Sequence, residues 1–387
     1  MAASLLDHLR TLSTVDCDTL DAEAAAKLGP FVDCTSNQAI AFAELTRVDD
    51  DGKPLHRKFI TQSLNIAHWL FGKQSDATFE ELAVELMMVG LSLRIAPHTT
   101  GYLHVQTNPK LAYDTQKTIK NAERIISHVN QLLNIDTRRI CIKIPATWEG
   151  LQACRELEAK GITTLATIVF SLEQTALAAA AGCRYIAPYV NELRVHFDPT
   201  YTDPSPVLPF TATAQSYLHS LPPNNPNNPN PNPGPTPAHN NNTQVVAASL
   251  TSIEQVMQLA GIAHLTVSPP LLAELAATPL EGWAGRARVG EAVRLMNEAA
   301  AAAAGAGAAS GGGGAAPTEA ERVRLERLAV GGGDEARWRM AFTRAEGGGC
   351  ERKLGQALNI FVEVQERLEG LVREAERERG RGGVSAA

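Results

Sequence analysis

A single lysine is the first residue in this chain whose setting suggests chemistry. In Arg139-Ile-Cys-Ile-Lys-Ile-Pro-Ala-Thr-Trp-Glu-Gly150, residues alternate across a strand, so Ile140, Ile142 and Ile144 line one face and Cys141, Lys143 and Pro145 the other. In an antiparallel sheet with one wet face, a lysine among isoleucines is ordinary. In a parallel sheet covered on both faces its ammonium loses hydration, which lowers its pKa and exposes an amine able to form a Schiff base with a carbonyl. The residues that follow favour the second setting. Thr147 can cap a helix, an amphipathic run extends to Lys160, and after Gly161 comes an apolar strand from Ile162 to Phe170. Strand, helix and strand at this spacing are the unit of a parallel sheet.

Other polar residues stand out at the ends of strand-like runs. The first such run ends in Asp16-Cys17-Asp18-Thr19, and the second enters Asp33-Cys34-Thr35-Ser36-Asn37. The third carries His104 and Gln106, the fifth Thr167, the sixth ends at Tyr189 and Asn191, and the seventh at Ser249. Each alone has a plainer reading: Asp18 and Asn37 as turn or cap residues, Thr167 as core, Tyr189 as a rim aromatic, His104 as a satisfied structural histidine. Their convergence around one lysine is what suggests an active site.

The elements that must position these groups follow a regular rhythm. Eight strand-like runs (13–18, 31–36, 102–107, 140–146, 163–170, 185–190, 244–249 and 264–268) alternate with helical patterns over about 265 residues. This predicts an α/β fold, a (β/α)8 TIM barrel over 1–280, with two helices near 55–71 and 77–95 between the second and third strands. A doubly wound sheet is the alternative, but no Gly-x-Gly-x-x-Gly follows the first strand. Residues 222–242, nearly all Pro and Asn, predict a disordered insertion. Residues 281–387 predict an Ala/Gly linker, centred on 299–317, and an appendage with helices at 318–329, 334–345 and 351–378. In the last, Leu354, Leu358, Phe361, Leu368, Leu371 and Ala375 form a stripe that should pack back on the barrel.

Composition narrows the function. With 387 residues and 44% apolar content the chain can bury a full core, while a net charge of -7 and a pI near 5.8 argue against nucleic-acid and membrane surfaces. The six cysteines show no Cys-x-x-Cys pair, and read as reduced core residues of a cytoplasmic protein. The amino terminus has charges inside its first helix and no unbroken apolar region, so neither a signal peptide nor a membrane span is expected.

The run Ile142-Lys143-Ile144-Pro145-Ala146-Thr147-Trp148-Glu149-Gly150 resembles the signature around the Schiff-base lysine of the transaldolase family, and Asp33-Cys34-Thr35-Ser36-Asn37 resembles that family's Asp-Ala-Thr-Thr-Asn-Pro motif, with Gln38 in place of the proline. The loop Lys110-Leu111-Ala112-Tyr113-Asp114 resembles the family's segment after its third strand. The resemblance implies that Lys143 captures the keto carbon of a ketose phosphate and that Asp18 removes the proton from the hydroxyl next to the bond being cleaved. It further implies that Asn37 and Ser249 bind substrate, and that Thr167 with Gln106 holds a water. A dihydroxyacetone unit would then pass between sugar phosphates in the non-oxidative pentose phosphate pathway, with no metal or organic cofactor. Small-molecule sugar phosphates are the partners implied, and a homodimer is left open.

The departures point toward a neighbouring activity. Gln106 stands where transaldolases have glutamate, Tyr189 where they have phenylalanine and Leu165 where they have asparagine; these, with Pro145, look like fructose-6-phosphate aldolase, which releases free dihydroxyacetone. A glutamine cannot trade protons, so water activation would fall partly on Tyr189. Glu192 and Thr251 occupy positions of basic residues that grip the phosphate, with Arg194 able to compensate only through a loop shift. A third reading follows from that loss: a degraded barrel kept for binding or regulation.

Overall fold

The computed structural model describes residues 3–72, 76–133, 137–221, 243–295, 297–298, 317–329 and 333–384. The expected Pro/Asn insertion and the Ala/Gly tract up to residue 316 lie outside them. Eight parallel strands close into a barrel in sequence order: β1 Thr14–Asp18, β2 Cys34–Thr35, β3 Leu103–Gln106, β4 Ile140–Pro145, β5 Thr164–Val169, β6 Tyr185–Pro188, β7 Gln244–Ala247 and β8 His264–Val267. Ladder pairing of Thr14 with His264 shuts the ring. The fold is therefore the expected (β/α)8 barrel, with strands one to four residues shorter than the apolar runs that announced them, because the ends of those runs pass into loops.

Helices cover the outside: α1 Leu5–Leu12, α2 Ala22–Leu28, α3 Gln38–Leu45, α4 Arg57–Phe71, α5 Phe79–Ile95, α6 Thr115–Leu133, α7 Trp148–Ala159, α8 Leu172–Ala181, α9 Leu208–Ser220, α10 Ile253–Gln258 and α11 Pro269–Ala277. All six residues of β4 are buried, Ile140, Ile142 and Ile144 against helices and the alternate residues toward the lumen. The turn into α7 shows why its sequence is what it is. Thr147 Oγ1 accepts from the Gly150 amide at 2.9 Å, capping the helix. A side chain at Gly150 would collide with the Pro145 carbonyl, so the helix can start this close to the strand only with glycine there.

Beyond the barrel run α12 Glu319–Ala329, α13 Glu335–Arg344 and α14 Gly349–Val384. The long helix α14 buries Leu354, Ala357, Leu358, Phe361, Val364, Leu368 and Val372, while Leu371 and Ala375 are only half-buried. It crosses the carboxyl-terminal end of the barrel and is tied there by polar contacts: Lys110 Nζ to Glu369 at 2.8 Å, Cys350 Sγ to the Phe170 carbonyl at 3.2 Å, and Lys353 Nζ to the Ser205 carbonyl at 3.0 Å. Trp338 of α13 is 1% exposed and donates its indole N–H to the Glu173 carbonyl on α8 at 2.9 Å. All six cysteines are buried and unpaired. No described helix is long and apolar enough to cross a membrane.

Candidate active site

Lys143 lies on the inner wall of β4 and is 3% exposed. Its Nζ donates to the Ser36 carbonyl at 3.2 Å, and among the described residues no carboxylate lies within ion-pair distance of it. The Tyr189 ring centroid stands 5.9 Å away. The ladder sets Gln106 of β3 directly beside Lys143, and Thr167 of β5 beside Pro145. Gln106 Oε1 and Thr167 Oγ1 are both buried and have no hydrogen-bond partner. Unpaired buried acceptors and hydroxyls are rare in a folded interior, and here two of them flank the lysine.

Asp18, at the carboxyl end of β1, accepts from Thr35 Oγ1 at 2.6 Å. Thr35 in turn lies 2.6 Å from Thr266 Oγ1. Since Thr35 spends its proton on the carboxylate, Thr266 must donate to Thr35, giving a hydroxyl chain from β8 through β2 to Asp18. Asn37 caps α3, its Oδ1 accepting from the Ile40 amide at 3.0 Å, so any ligand contact from this side chain falls to its NH2. The cap reading and the substrate reading are thus compatible.

At the far side of the mouth the backbone is strained. Ser249, after β7, has φ of 59°, and Ile168 in β5, beside Thr167, has φ of 62°. A β-branched residue seldom adopts that conformation, and such strain concentrates at functional sites. Asn191 clamps the Ser249 carbonyl, donating from Nδ2 at 2.6 Å. Ser249 Oγ is 2.9 Å from His196 Nε2. Burial lowers the His196 imidazole below its ordinary pKa, against an opposing pull from the Asp18 carboxylate.

The sequence reading set Glu192 and Thr251 at the phosphate end. Glu192 is 2% exposed and collects hydrogen bonds from Tyr201 Oη at 2.8 Å, Arg352 at 2.8 Å and Gln356 at 2.9 Å. Burial alone would raise this carboxyl, but those bonds and the charge of Arg352 outweigh it and hold the pKa at about 2. Arg194, two positions on, is paired with Asp198 at 2.7 Å, with its guanidinium 4.4 Å from the Tyr201 ring centroid. Thr251 bonds Gln255.

The amino-terminal half of the lumen is filled differently. Asp16 meets His264 Nδ1 at 2.8 Å, and Asp33 meets His104 Nε2 at 3.0 Å while accepting from the Tyr102 amide at 2.6 Å. Burial raises the Asp16 carboxyl even with His264 against it, whereas the bonds from His104 and Tyr102 overcome burial and keep Asp33 low. His104 is therefore the structural histidine that its plainer reading expected. Ligand atoms of Asp16, Asp33 and His264 lie within 4.8 Å of one another, a spacing a metal could use, but each is already spent on a neighbour. A cavity of about 1020 Å³ opens at this end of the barrel, lined by Thr14, Phe31, Gln244 and Gly261, and does not include Lys143.

The lumen thus has a paired floor and, above it, a buried amine with unpaired neighbours at the end where barrel enzymes carry out their reactions. A family model for transaldolase/fructose-6-phosphate aldolase matches residues 15–308. The chain belongs to this family. It is 30% identical to a transaldolase of Xanthomonas euvesicatoria over 277 residues, covering 70% of this chain and 78% of that one. It is 29% identical to transaldolase B of Pasteurella multocida over 300 residues, covering 75% and 81%. A transaldolase of Gloeobacter violaceus is 29% identical over 290 residues, 73% of this chain and 67% of its own. An aldolase or transaldolase type of enzyme is what these relatives support.

Three contributors to the mouth escaped the sequence reading. His196 ends a single 3-10 turn, Leu193–His196, too short to show periodicity, and Arg352 and Gln356 come from a helix 160 and 164 positions from the residue they bind. Gln38 registered only as a departure from a motif, yet both ends of its carboxamide are hydrogen-bonded, to the Thr107 carbonyl and to Gln106.

Proposed function

We propose that the protein is a transaldolase that moves a dihydroxyacetone unit from a ketose phosphate to an aldose phosphate through a Schiff base on Lys143, as a cytoplasmic enzyme of the non-oxidative pentose phosphate pathway. The observation that carries this reading is the setting of the lysine: a buried amine on the inner wall, held by one backbone carbonyl, with the unpartnered Gln106 Oε1 and Thr167 hydroxyl on the neighbouring strands. In its free-base form Lys143 adds to the keto carbon, and uptake of one proton with loss of water from the carbinolamine gives the protonated imine. Asp18 takes the proton of the hydroxyl next to the scissile carbon-carbon bond, the bond's electron pair moves into the iminium, and an aldehyde leaves behind an enamine. The enamine carbon then attacks an acceptor aldehyde, whose oxygen takes the proton back from Asp18. Water adds to the new iminium with its proton passing to Asp18. Return of that proton to nitrogen, and loss of the hydroxyl proton as the carbonyl reforms, frees Lys143.

A second reading, an aldolase releasing free dihydroxyacetone, is favoured by Gln106 and by Tyr189 beside the lysine. In it a proton rather than an aldehyde reaches the enamine carbon. The experiment is borohydride trapping with fructose 6-phosphate, read by mass spectrometry, followed by turnover with and without an acceptor aldehyde. A three-carbon adduct on Lys143 and turnover that requires acceptor is the expected result. Turnover without acceptor selects the aldolase, and no adduct at Lys143 leaves only a binding or regulatory role, for which the loss of basic residues at Glu192 and Thr251 is the motive.

A further inference from the structure

We propose that Gln38 is a positioning residue that fixes which end of the Gln106 carboxamide faces the lysine, so that Gln106 presents a carbonyl oxygen, and only an acceptor, to the water that frees Lys143. The assignment rests on the Schiff-base reading above.

The direction of both amides follows from one fixed point. The Thr107 carbonyl can only accept, so the Gln38 atom 3.0 Å from it is the NH2 group. The other end of the Gln38 amide is then an oxygen, which also can only accept, and the Gln106 atom 2.8 Å away must be the NH2 of Gln106. Gln106 Oε1 is left over, buried and without a partner. Had Gln106 turned over, two amide oxygens would face each other in a dry interior, which the side chain avoids.

The fixed point is itself tied to the lysine. The Thr107 amide donates to the Lys143 carbonyl at 3.0 Å, extending the ladder one residue past β3, and Lys143 Nζ donates to the carbonyl of Ser36, two residues before Gln38. The segment from Ser36 to Gln38 therefore holds the amine and, through Thr107, orients its neighbour. Gln106 Oε1 on β3 and the unpartnered Thr167 hydroxyl on β5 lie on strands to either side of the lysine's own. Together they offer an acceptor and a hydroxyl to one small hydrogen-bonding molecule, a water or a sugar hydroxyl. A neutral amide cannot take its proton, so Gln106 can only aim it: one O–H toward Oε1, a lone pair toward the iminium carbon.

The test uses the full chain and four forms: wild type, Q38M, Q106L and the double variant. Each is read by kcat and KM for fructose 6-phosphate with an acceptor aldehyde, and by the fraction of enzyme trapped by borohydride at steady state. Q38M should lower kcat by about 10- to 100-fold, the scale on which misplacing a reacting group acts. It should change KM by less than about 3-fold and raise the trapped fraction, because imine forms but is released slowly. In the Q106L background Q38M should add less than about 2-fold, since it acts through Gln106. An unchanged kcat in Q38M, or an undiminished effect in the Q106L background, overturns the proposal while the wild-type adduct still supports the Schiff base. No wild-type adduct overturns both. If Q38M does not fold, Q106E reports from the other side. A carboxylate there faces the Gln38 oxygen and should be less active than wild type despite being a stronger base; equal or greater activity overturns the proposal.

Discussion

The two halves of the barrel lumen hold similar residue types and treat them in opposite ways. In the floor, Asp16 is matched with His264 and Asp33 with His104, each pair nearly dry. Near the mouth, Lys143 is equally buried and, among the described residues, has a backbone carbonyl as its hydrogen-bond partner and no carboxylate. Unpaired polarity is not confined to the mouth, since the Tyr185 hydroxyl and His104 Nδ1 in the floor also lack partners. What differs is charge. Floor carboxylates have cationic or hydrogen-bonding partners that justify their burial, whereas nothing in the fold requires an amine at position 143. A paired charge accounts for its own burial; a buried amine without such a partner, in the half where barrel enzymes react, is what supports the proposed reaction.

That contrast can be broken in three places. The largest effect is expected at Lys143. Lys143→Met should remove borohydride trapping and lower transfer by roughly 10⁴-fold or more, as loss of a covalent nucleophile does. Its thermal midpoint should be unchanged or higher, because an apolar side chain of similar length replaces a poorly satisfied amine. A clear loss of stability would show that the lysine supports the fold after all. Next comes the floor. Asp33→Ala strips the Tyr102 amide and His104 of their acceptor and should cost roughly 3–5 kcal/mol in denaturant unfolding, the scale for breaking a buried pair. Protein that remains folded should still form the adduct on Lys143. The smallest effect is at the rim, where Arg352 is 60% exposed over Glu192.

For Glu192 the sign of the pH dependence is set by its depressed pKa of about 2 in the folded chain. An unfolded glutamate titrates near about 4.3. The stabilisation is therefore fully present above about pH 4.3 and is lost as pH falls toward about 2. Glu192→Gln should be less stable than wild type by under about 1 kcal/mol at pH 7, given the exposure of Arg352, and the two should converge in acid. Hydrogen exchange along α14, compared at pH 7 and pH 3, would show whether the difference lies where that helix meets the barrel. A gap that persisted at pH 2 would mean that the carboxylate charge is not what holds the helix.

Much of this was legible in the chain because the signals are local. Apolar runs of four to eight residues followed by amphipathic ones announce strands and helices, and alternation along β4 places Lys143 on the face opposite three isoleucines without any tertiary information. The same alternation sets His104 and Gln106 on one face of β3. Asp18, Asn37, Gln106, Thr167, Tyr189 and Ser249 stood among the polar residues that strand-end position offers, and the family resemblance singled them out. The stripe on α14 was readable too, although its true buried face turns slightly toward Val364 and Val372.

Only the folded chain decided which polar groups cancel. Asp16 and His264 are 248 positions apart and Glu192 and Arg352 are 160 apart, so no spacing in the sequence joins them; ring closure and the path of α14 do. Arg194, a neighbour in sequence, turned instead to Asp198, and His196 entered the mouth from a single 3-10 turn too short to carry a pattern. The orientation of an amide is beyond sequence altogether. Gln38 and Gln106 are identical in type, and one became a link and the other an open acceptor because a single backbone carbonyl happened to lie at one end of the pair. Sequence fixes what a side chain can donate or accept; geometry fixes which of those capacities is left over for a ligand.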